Sequence, residues 1–297
     1  MRSAPDTTAN SPANSSKSST ANAAPTSAGR TPGDGVTPYL TARPDPTAPL
    51  RLFCFHHAGG SGSVFADWQS VLAPNVSVQP VQLPGRERRV REPRITDMAR
   101  LTEELDRELG PHMDGPCAFY GHSMGGLVAW HLVLHRRRTG QRLPRALLVG
   151  ACNPPHRPPL SASTKGMTRD QLVAWMQEMG GISELVLRYP EWVDAAVSLL
   201  RDDLELCDSH PHAAQLAAPP APLPVPLYGF VGADDPGVGP DAMADWLRYT
   251  EAQGEVFPIP GGHLFFRDSP VEFLSRLRSV LTRLGSVPAG REGTGPR

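Results

Sequence analysis

The stretch Tyr120-Gly121-His122-Ser123-Met124-Gly125-Gly126 constrains this chain more than any other. Cys117-Ala118-Phe119-Tyr120 before it is short and apolar, as a buried parallel strand is. Leu127, Val128, Trp130, Leu132, Val133 and Leu134 after it read as a mostly buried helix. Arg136-Arg137-Arg138 closes that helix with three cations suited to its C-terminus. Gly121, Ser123 and Gly125 satisfy the pattern G-x-S-x-G, which works only between a strand and a helix. The serine then sits at a tight turn with its hydroxyl presented, and the glycines let neighbouring backbone pass close by. A glycine-rich turn that merely contains a serine is the plainer reading, since the bare pattern recurs by chance. The strand and the helix around it favour a nucleophile.

The first 48 residues are built from Ser, Thr, Ala, Pro, Asn and Gly with almost no large apolar side chain. Such a segment cannot bury enough surface to offset its ordering entropy. The sequence therefore predicts a disordered N-terminal extension over 1–48, a folded body over 49–285 and a disordered tail over 286–297. The body is a usual size for one α/β domain with an insertion. A net charge of −1 argues against a nucleic-acid partner. Arg2 is followed by no apolar run of a secretory signal, and no stretch approaches the roughly 18 apolar residues of a membrane helix. Cys54, Cys117, Cys152 and Cys207 are isolated and read as reduced, buried thiols. The expectation is a cytoplasmic protein with no membrane partner.

Strands are expected at Leu50 to Phe55, Val76 to Leu83, Cys117 to Tyr120, Arg145 to Val149, Val225 to Val231 and Val256 to Ile259. Pro80 marks the second as irregular or at an edge. Between them lie helical patterns: Phe65 to Leu72, then a face formed by Ile95, Met98, Leu101, Leu105 and Leu109, and Pro240 to Trp246. A closing helix is opened by Ser269-Pro270-Val271-Glu272 and carries Phe273, Leu274, Leu277, Leu281 and Leu284. The segment from 157 to about 216 breaks the alternation. A Thr168/Gln171 capping box starts one helix, Gly180-Gly181 stops it, and Ile182 to Leu187 and Trp192 to Cys207 read as two more. At about 60 residues it is too long for one crossover and reads as a helical lid. The fold class is α/β: a mostly parallel central sheet, helices on both faces, and a lid insertion.

A serine hydroxyl needs a base, and the base an orienting acid. In this architecture they follow in the order Ser, acid, His. His263, after Gly261-Gly262 at the end of the last strand, is the candidate base. Asp234 and Asp235 compete for the acid; Asp235, fixed before Pro236 in extended backbone, is favoured. Gly150-Ala151-Cys152-Asn153 offers no carboxylate at the other place such folds keep one. An oxyanion needs two backbone donors. Met124 supplies one, and the loop His56-His57-Ala58-Gly59-Gly60-Ser61-Gly62 the other, through Ala58 or, as alternative, His57. His210-Pro211-His212 lacks partners at ligand spacing, so no metal is assigned. Arg86, Arg88, Arg89 and Arg91, interleaved with Glu87 and Glu92, read as a solvated or salt-bridged face that could also meet an acidic partner.

Taken together, these stretches resemble the type II thioesterases that accompany polyketide and non-ribosomal peptide synthases. The matching residues are Phe55-His56-His57-Ala58-Gly59-Gly60-Ser61, Gln82 to Arg88, Tyr120 to Gly126, Gly180-Gly181 with Pro190-Glu191-Trp192, Leu200-Arg201-Asp202-Asp203, and Gly261 to Phe266. The family more often has Pro where His56 stands. The resemblance implies an α/β-hydrolase that removes acyl groups from the phosphopantetheine thiol of acyl or peptidyl carrier proteins, clearing stalled or mis-primed chains. It implies Ser123, Asp235 and His263 as the triad and Ala58 and Met124 as the oxyanion hole. It implies no cofactor, and a monomer is expected. The alternatives are a chain-releasing or fatty-acyl thioesterase, a small-ester hydrolase, or a catalytically silent module that binds carriers.

Overall fold

The computed structural model describes residues 37–209 and 221–285. Expectations for the extension up to residue 36, for the tail from 286, for His210 and His212, and for the end of the lid fall outside those residues. Six strands form one sheet: β1 Leu50–Phe55, β2 Val76–Val81, β3 Cys117–His122, β4 Leu147–Gly150, β5 Leu227–Gly232 and β6 Gly254–Ile259. Their order is β2-β1-β3-β4-β5-β6, and every neighbouring pair is parallel. Parallel neighbours need crossovers, which the helices supply: α1 Trp68–Leu72, α2 Met98–Leu109, α3 Met124–Arg138, α4 Arg169–Glu178, α5 Glu184–Leu187, α6 Pro190–Asp208, α7 Pro240–Ala244, α8 Phe265–Asp268 and α9 Pro270–Gly285.

Period-two alternation divides the strand residues between two cores. Phe53, Phe55, Phe119, Leu147, Val149, Leu227 and Val231 pack with α2, α3 and α7. Leu52, Cys54, Ala118, Tyr120, Leu148, Tyr228 and Phe230 pack with α1, α8 and α9. Both faces are covered, which is why the strands read as continuous apolar runs. The α2 stripe Met98, Leu101, Leu105 and Leu109 is buried as its spacing predicts. Asp97 caps that helix by accepting from the Arg100 N–H. β1 lies between β2 and β3, so the winding direction reverses there. The loops after β1 and β3 diverge at that point and leave a crevice at the strand ends.

The boundary expected at residue 48 is too late. Thr37, Tyr39 and Leu40 are buried, and Leu40 bridges Val81 in antiparallel register beside β2. The Gln82 N–H donates to the Tyr39 carbonyl at 2.8 Å and the Thr41 N–H to the Pro80 carbonyl at 3.3 Å. Tyr39 is one of few large apolar side chains in that composition, and it suffices: its ring is buried under the Arg89 guanidinium, 4.0 Å from its centroid. β2 is indeed an edge strand, as Pro80 suggests. Tyr39→Ala should cost about 3 kcal/mol, as large-to-small core changes do. Urea unfolding measures it; a loss below about 1 kcal/mol would show that the segment adds little.

Between β4 and β5 the lid helices gather their own small core: Leu172, Met176, Val193, Val197, Leu200 and Leu204. The capping box at Thr168 and Gln171 is formed, with both side-chain bonds present. Ala58, from the loop after β1, packs against this core. No helix among the described residues is long and apolar enough to cross a membrane.

Candidate active site

Ser123 stands between β3 and α3 with φ 53° and ψ −117°, a conformation that costs an L-residue of order 1–3 kcal/mol. The surroundings enforce it. The Ser123 N–H donates to the Gly150 carbonyl at 2.8 Å, and the Gly126 N–H returns to the Ser123 carbonyl at 2.8 Å. A Cβ on Gly121 would lie 2.1 Å from the Gly125 oxygen, and one on Gly125 would lie 2.0 Å from the Phe55 oxygen. Strand, turn and helix thus pack too tightly for any side chain at the two flanking positions. The turn leaves the Ser123 hydroxyl at the C-terminal edge of the sheet and at the N-terminus of α3.

His263 and Asp235 reach that hydroxyl from the loops after β6 and β5. His263 Nε2 is 3.0 Å from Ser123 Oγ, and His263 Nδ1 is 2.9 Å from Asp235 Oδ2. A carboxylate can only accept there, so Nδ1 carries the proton and Nε2 offers its lone pair to the serine. The Asp235 side chain is fully buried. Its second oxygen accepts from the Gly237 N–H at 2.8 Å and the Val238 N–H at 3.1 Å. Pro236 has no N–H to interfere, and the resulting turn fixes the carboxylate. Asp234 is exposed; its backbone N–H is spent on the Gly261 carbonyl. Of the two competing aspartates, only Asp235 touches the imidazole.

Met124 heads α3, where first-turn N–H groups have no intrahelical acceptor. Ala58 faces it from the loop after β1, and both line one recess with Ser123. The Gly59 N–H is already given to Asp203 Oδ2 at 2.7 Å. The alternative donor residue, His57, turns its groups inward: Nδ1 bonds the Ala58 carbonyl at 2.9 Å, and its carbonyl accepts from Gly60. Two recesses meet at Ala58, Ser123 and Trp175. One runs toward Leu127, Cys152, Leu204 and Cys207, and the other toward Met176, Met179, His263 and Leu264.

Three site features went unread in the sequence. His122, inside the serine motif, is buried; its Nε2 lies 2.8 Å from the His263 carbonyl and its Nδ1 3.0 Å from the Tyr120 hydroxyl. It therefore ties the His263 backbone to the serine's strand. Arg86 and Arg89 are salt-bridged, as one of the two readings of the run had it, Arg86 with Asp203 and Arg89 with Glu92, but both are buried. Asp203 was detectable, as a carboxylate beside the apolar stripe Val193, Val197, Leu200, Leu204. Nothing in the sequence names its partner.

Burial drives the His57 pKa down to about 3 and holds His56 and His122 well below the ordinary histidine value. All three are neutral in the fold but bind protons near pH 6.5 when the chain is unfolded. Stability is therefore full above about pH 6.5 and falls as pH drops toward about 3, by up to about 4 kcal/mol per unit if all three contribute. The urea midpoint should decline steadily from pH 7 to pH 5; a flat profile would contradict this.

A parallel sheet that reverses its winding at the strained serine turn places the chain in the α/β-hydrolase class. Within that class it belongs to the thioesterase domain family, whose profile matches residues 50–281. The gramicidin S biosynthesis protein GrsT of Aneurinibacillus migulanus is 30% identical over 247 residues, 82% of this chain and 94% of that one. The human medium-chain S-acyl fatty acid synthase thioesterase is 30% identical, over 77% of this chain and 86% of its own. Among solved structures, the RedJ thioesterase of the Streptomyces coelicolor prodiginine pathway is 33% identical, with TM-score 0.72 over 80% of this chain and 90% of that one. The type II thioesterase BorB of the borrelidin cluster is 28% identical, with TM-score 0.69 over 85% of this chain and 100% of that one.

Proposed function

We propose that this chain is a standalone editing thioesterase: it hydrolyses acyl groups from the phosphopantetheine thiol of acyl or peptidyl carrier proteins in polyketide or non-ribosomal peptide synthesis. The observation that carries the reading is the unbroken line from Ser123 Oγ through His263 to Asp235, with contacts of 3.0 and 2.9 Å. His263 takes the serine proton as Oγ attacks the thioester carbonyl. Asp235 holds the imidazole in the required tautomer and stabilises its charge. The N–H groups of Ala58 and Met124 receive the oxyanion. The intermediate collapses as the C–S bond breaks; the sulfur, with a pKa of about 8.5 by analogy with cysteine, leaves with little help and takes the proton from His263, which is neutral again. Water activated by His263 then frees the acyl group from Ser123. No step calls for a metal or an organic cofactor. All of these groups come from one chain, so a single copy suffices. The four cysteines are free and buried, which agrees with work in the cytoplasm beside the carriers.

The human relative favours a second reading, release of medium-length fatty acyl chains. One panel separates the two. Carrier proteins loaded with acyl groups from acetyl to decanoyl are followed by mass spectrometry. Editing predicts fastest loss of the short groups. A maximum at eight or ten carbons would replace the proposal with the second reading.

A further inference from the structure

We infer that Asp203 is a positioning residue for the oxyanion hole and that it makes the hole depend on the lid helix α6. This rests on the roles given above to Ser123, Ala58 and Met124. The His57 carbonyl accepts from the Gly60 N–H at 3.0 Å and contacts His56 Nδ1 at 2.9 Å. The Ala58 carbonyl is bonded by His57 Nδ1 at 2.9 Å. The Gly59 N–H goes to Asp203 Oδ2 at 2.7 Å. Both peptides that flank the Ala58 Cα are therefore pinned, and the group left over is the Ala58 N–H, beside Ser123. Gly59 holds φ 74°, so the chain turns sharply at this point and small rotations would swing the Ala58 N–H away.

Three of these bonds are made inside the loop. The fourth comes from the lid. Asp203 lies in the last turns of α6, and Arg86 of the loop after β2 clamps it with two bonds, Nη2 to Oδ1 at 2.7 Å and Nη1 to Oδ2 at 2.9 Å. The same Arg86 Nη1 reaches the Gly60 carbonyl at 3.2 Å, so the guanidinium holds the loop on its other side. Arg86 is 5% exposed and Asp203 2%. A buried ion pair is a poor source of stability, because desolvation offsets the attraction and an apolar pair of similar size often does as well. Here the pair aims a carboxylate oxygen at one backbone N–H of the catalytic loop. Leu200 on α6 comes within 4.0 Å of where a Gly59 Cβ would stand, so the helix packs directly against this loop.

The test separates position from stability. Three variants are compared: Asp203→Asn, Asp203→Ala, and the double variant Asp203→Leu with Arg86→Met, which replaces the pair by packed apolar groups. Each is assayed for kcat and KM on an acyl carrier protein and for affinity toward two ligands with the same acyl chain. An acyl trifluoromethyl ketone adds to Ser123 Oγ; the new C–O bond moves the carbonyl electron pair onto oxygen and the serine proton onto His263, so its affinity reads the oxyanion hole. A thioether analogue has no carbonyl and reads only the pocket. Asp203→Ala and the double variant should lose about 100-fold in kcat, the order of one missing oxyanion donor. The trifluoromethyl ketone Ki should rise by a similar factor, with the thioether Kd and KM within threefold of the parent. Asp203→Asn can keep its oxygen on the Gly59 N–H while its NH2 faces Arg86 Nη2, and should recover part of the loss. The inference is overturned if the kcat of the folded variants stays within threefold of the parent, or if thioether and ketone weaken together. A parent enzyme indifferent to the trifluoromethyl ketone would instead unseat the reading of Ser123.

Discussion

Ser123→Ala is expected to lower kcat/KM on an acylated carrier protein by roughly 10⁴- to 10⁶-fold, the range seen when a serine nucleophile is removed from an intact triad. The small rate left would come from the oxyanion donors and from binding. The change deletes one oxygen from a half-buried side chain and keeps a Cβ at the φ of 53°, so the backbone constraint is the same before and after. Thermal unfolding within a degree or two of the parent should therefore accompany the loss. Single-turnover assays with mass-spectrometric detection of the carrier measure both. An acyl group that still leaves at the parental rate would remove Ser123 from the mechanism.

Asp235→Asn should cost about 10⁴-fold in kcat, while Asp234→Asn should stay within about threefold of the parent. The amide is nearly the same shape as the carboxylate, and its oxygen can keep the Gly237 and Val238 N–H bonds that hold the loop. What changes is the group facing His263 Nδ1. An NH2 there cannot accept, so the imidazole moves its proton to Nε2 and loses the lone pair that serves Ser123. Asp234 points to solvent and only its main chain is engaged, so an amide there alters nothing near the imidazole. The two variants, run side by side, form their own control. A large effect at Asp234 with a small one at Asp235 would reassign the acid.

The six strands were legible because both faces of the sheet are covered and each strand becomes a short apolar block between turn residues. The serine turn was legible for a related reason: Gly121 and Gly125 are needed where backbone oxygens come within 2.1 Å of an added Cβ, and that need writes itself into the sequence. His263 and Asp235 could be singled out because this architecture delivers such groups from loops at strand ends. The remainder lies in contacts that no local pattern encodes. Asp203 meets Gly59 across 144 residues, and His122 meets His263 across 141. An arginine-rich run such as 86–91 reads as surface until Arg86 is seen against Asp203 and Arg89 against Tyr39. Residues 37–48 were misread because composition averages over a window, whereas Tyr39 and Leu40 act as two anchors.

Those two anchors have a consequence beyond the stability of one molecule. An open sheet has two rims, and each is a row of hydrogen-bonding groups on which a second chain could grow. At one rim the backbone of residues 39–41 lies along β2 and occupies the Pro80 carbonyl and the Gln82 N–H. At the other, β6 carries Pro258, which has no N–H to offer. A rim occupied in this way offers fewer free groups to a second chain, and the segment that looks most dispensable in the sequence is the one that covers the β2 rim.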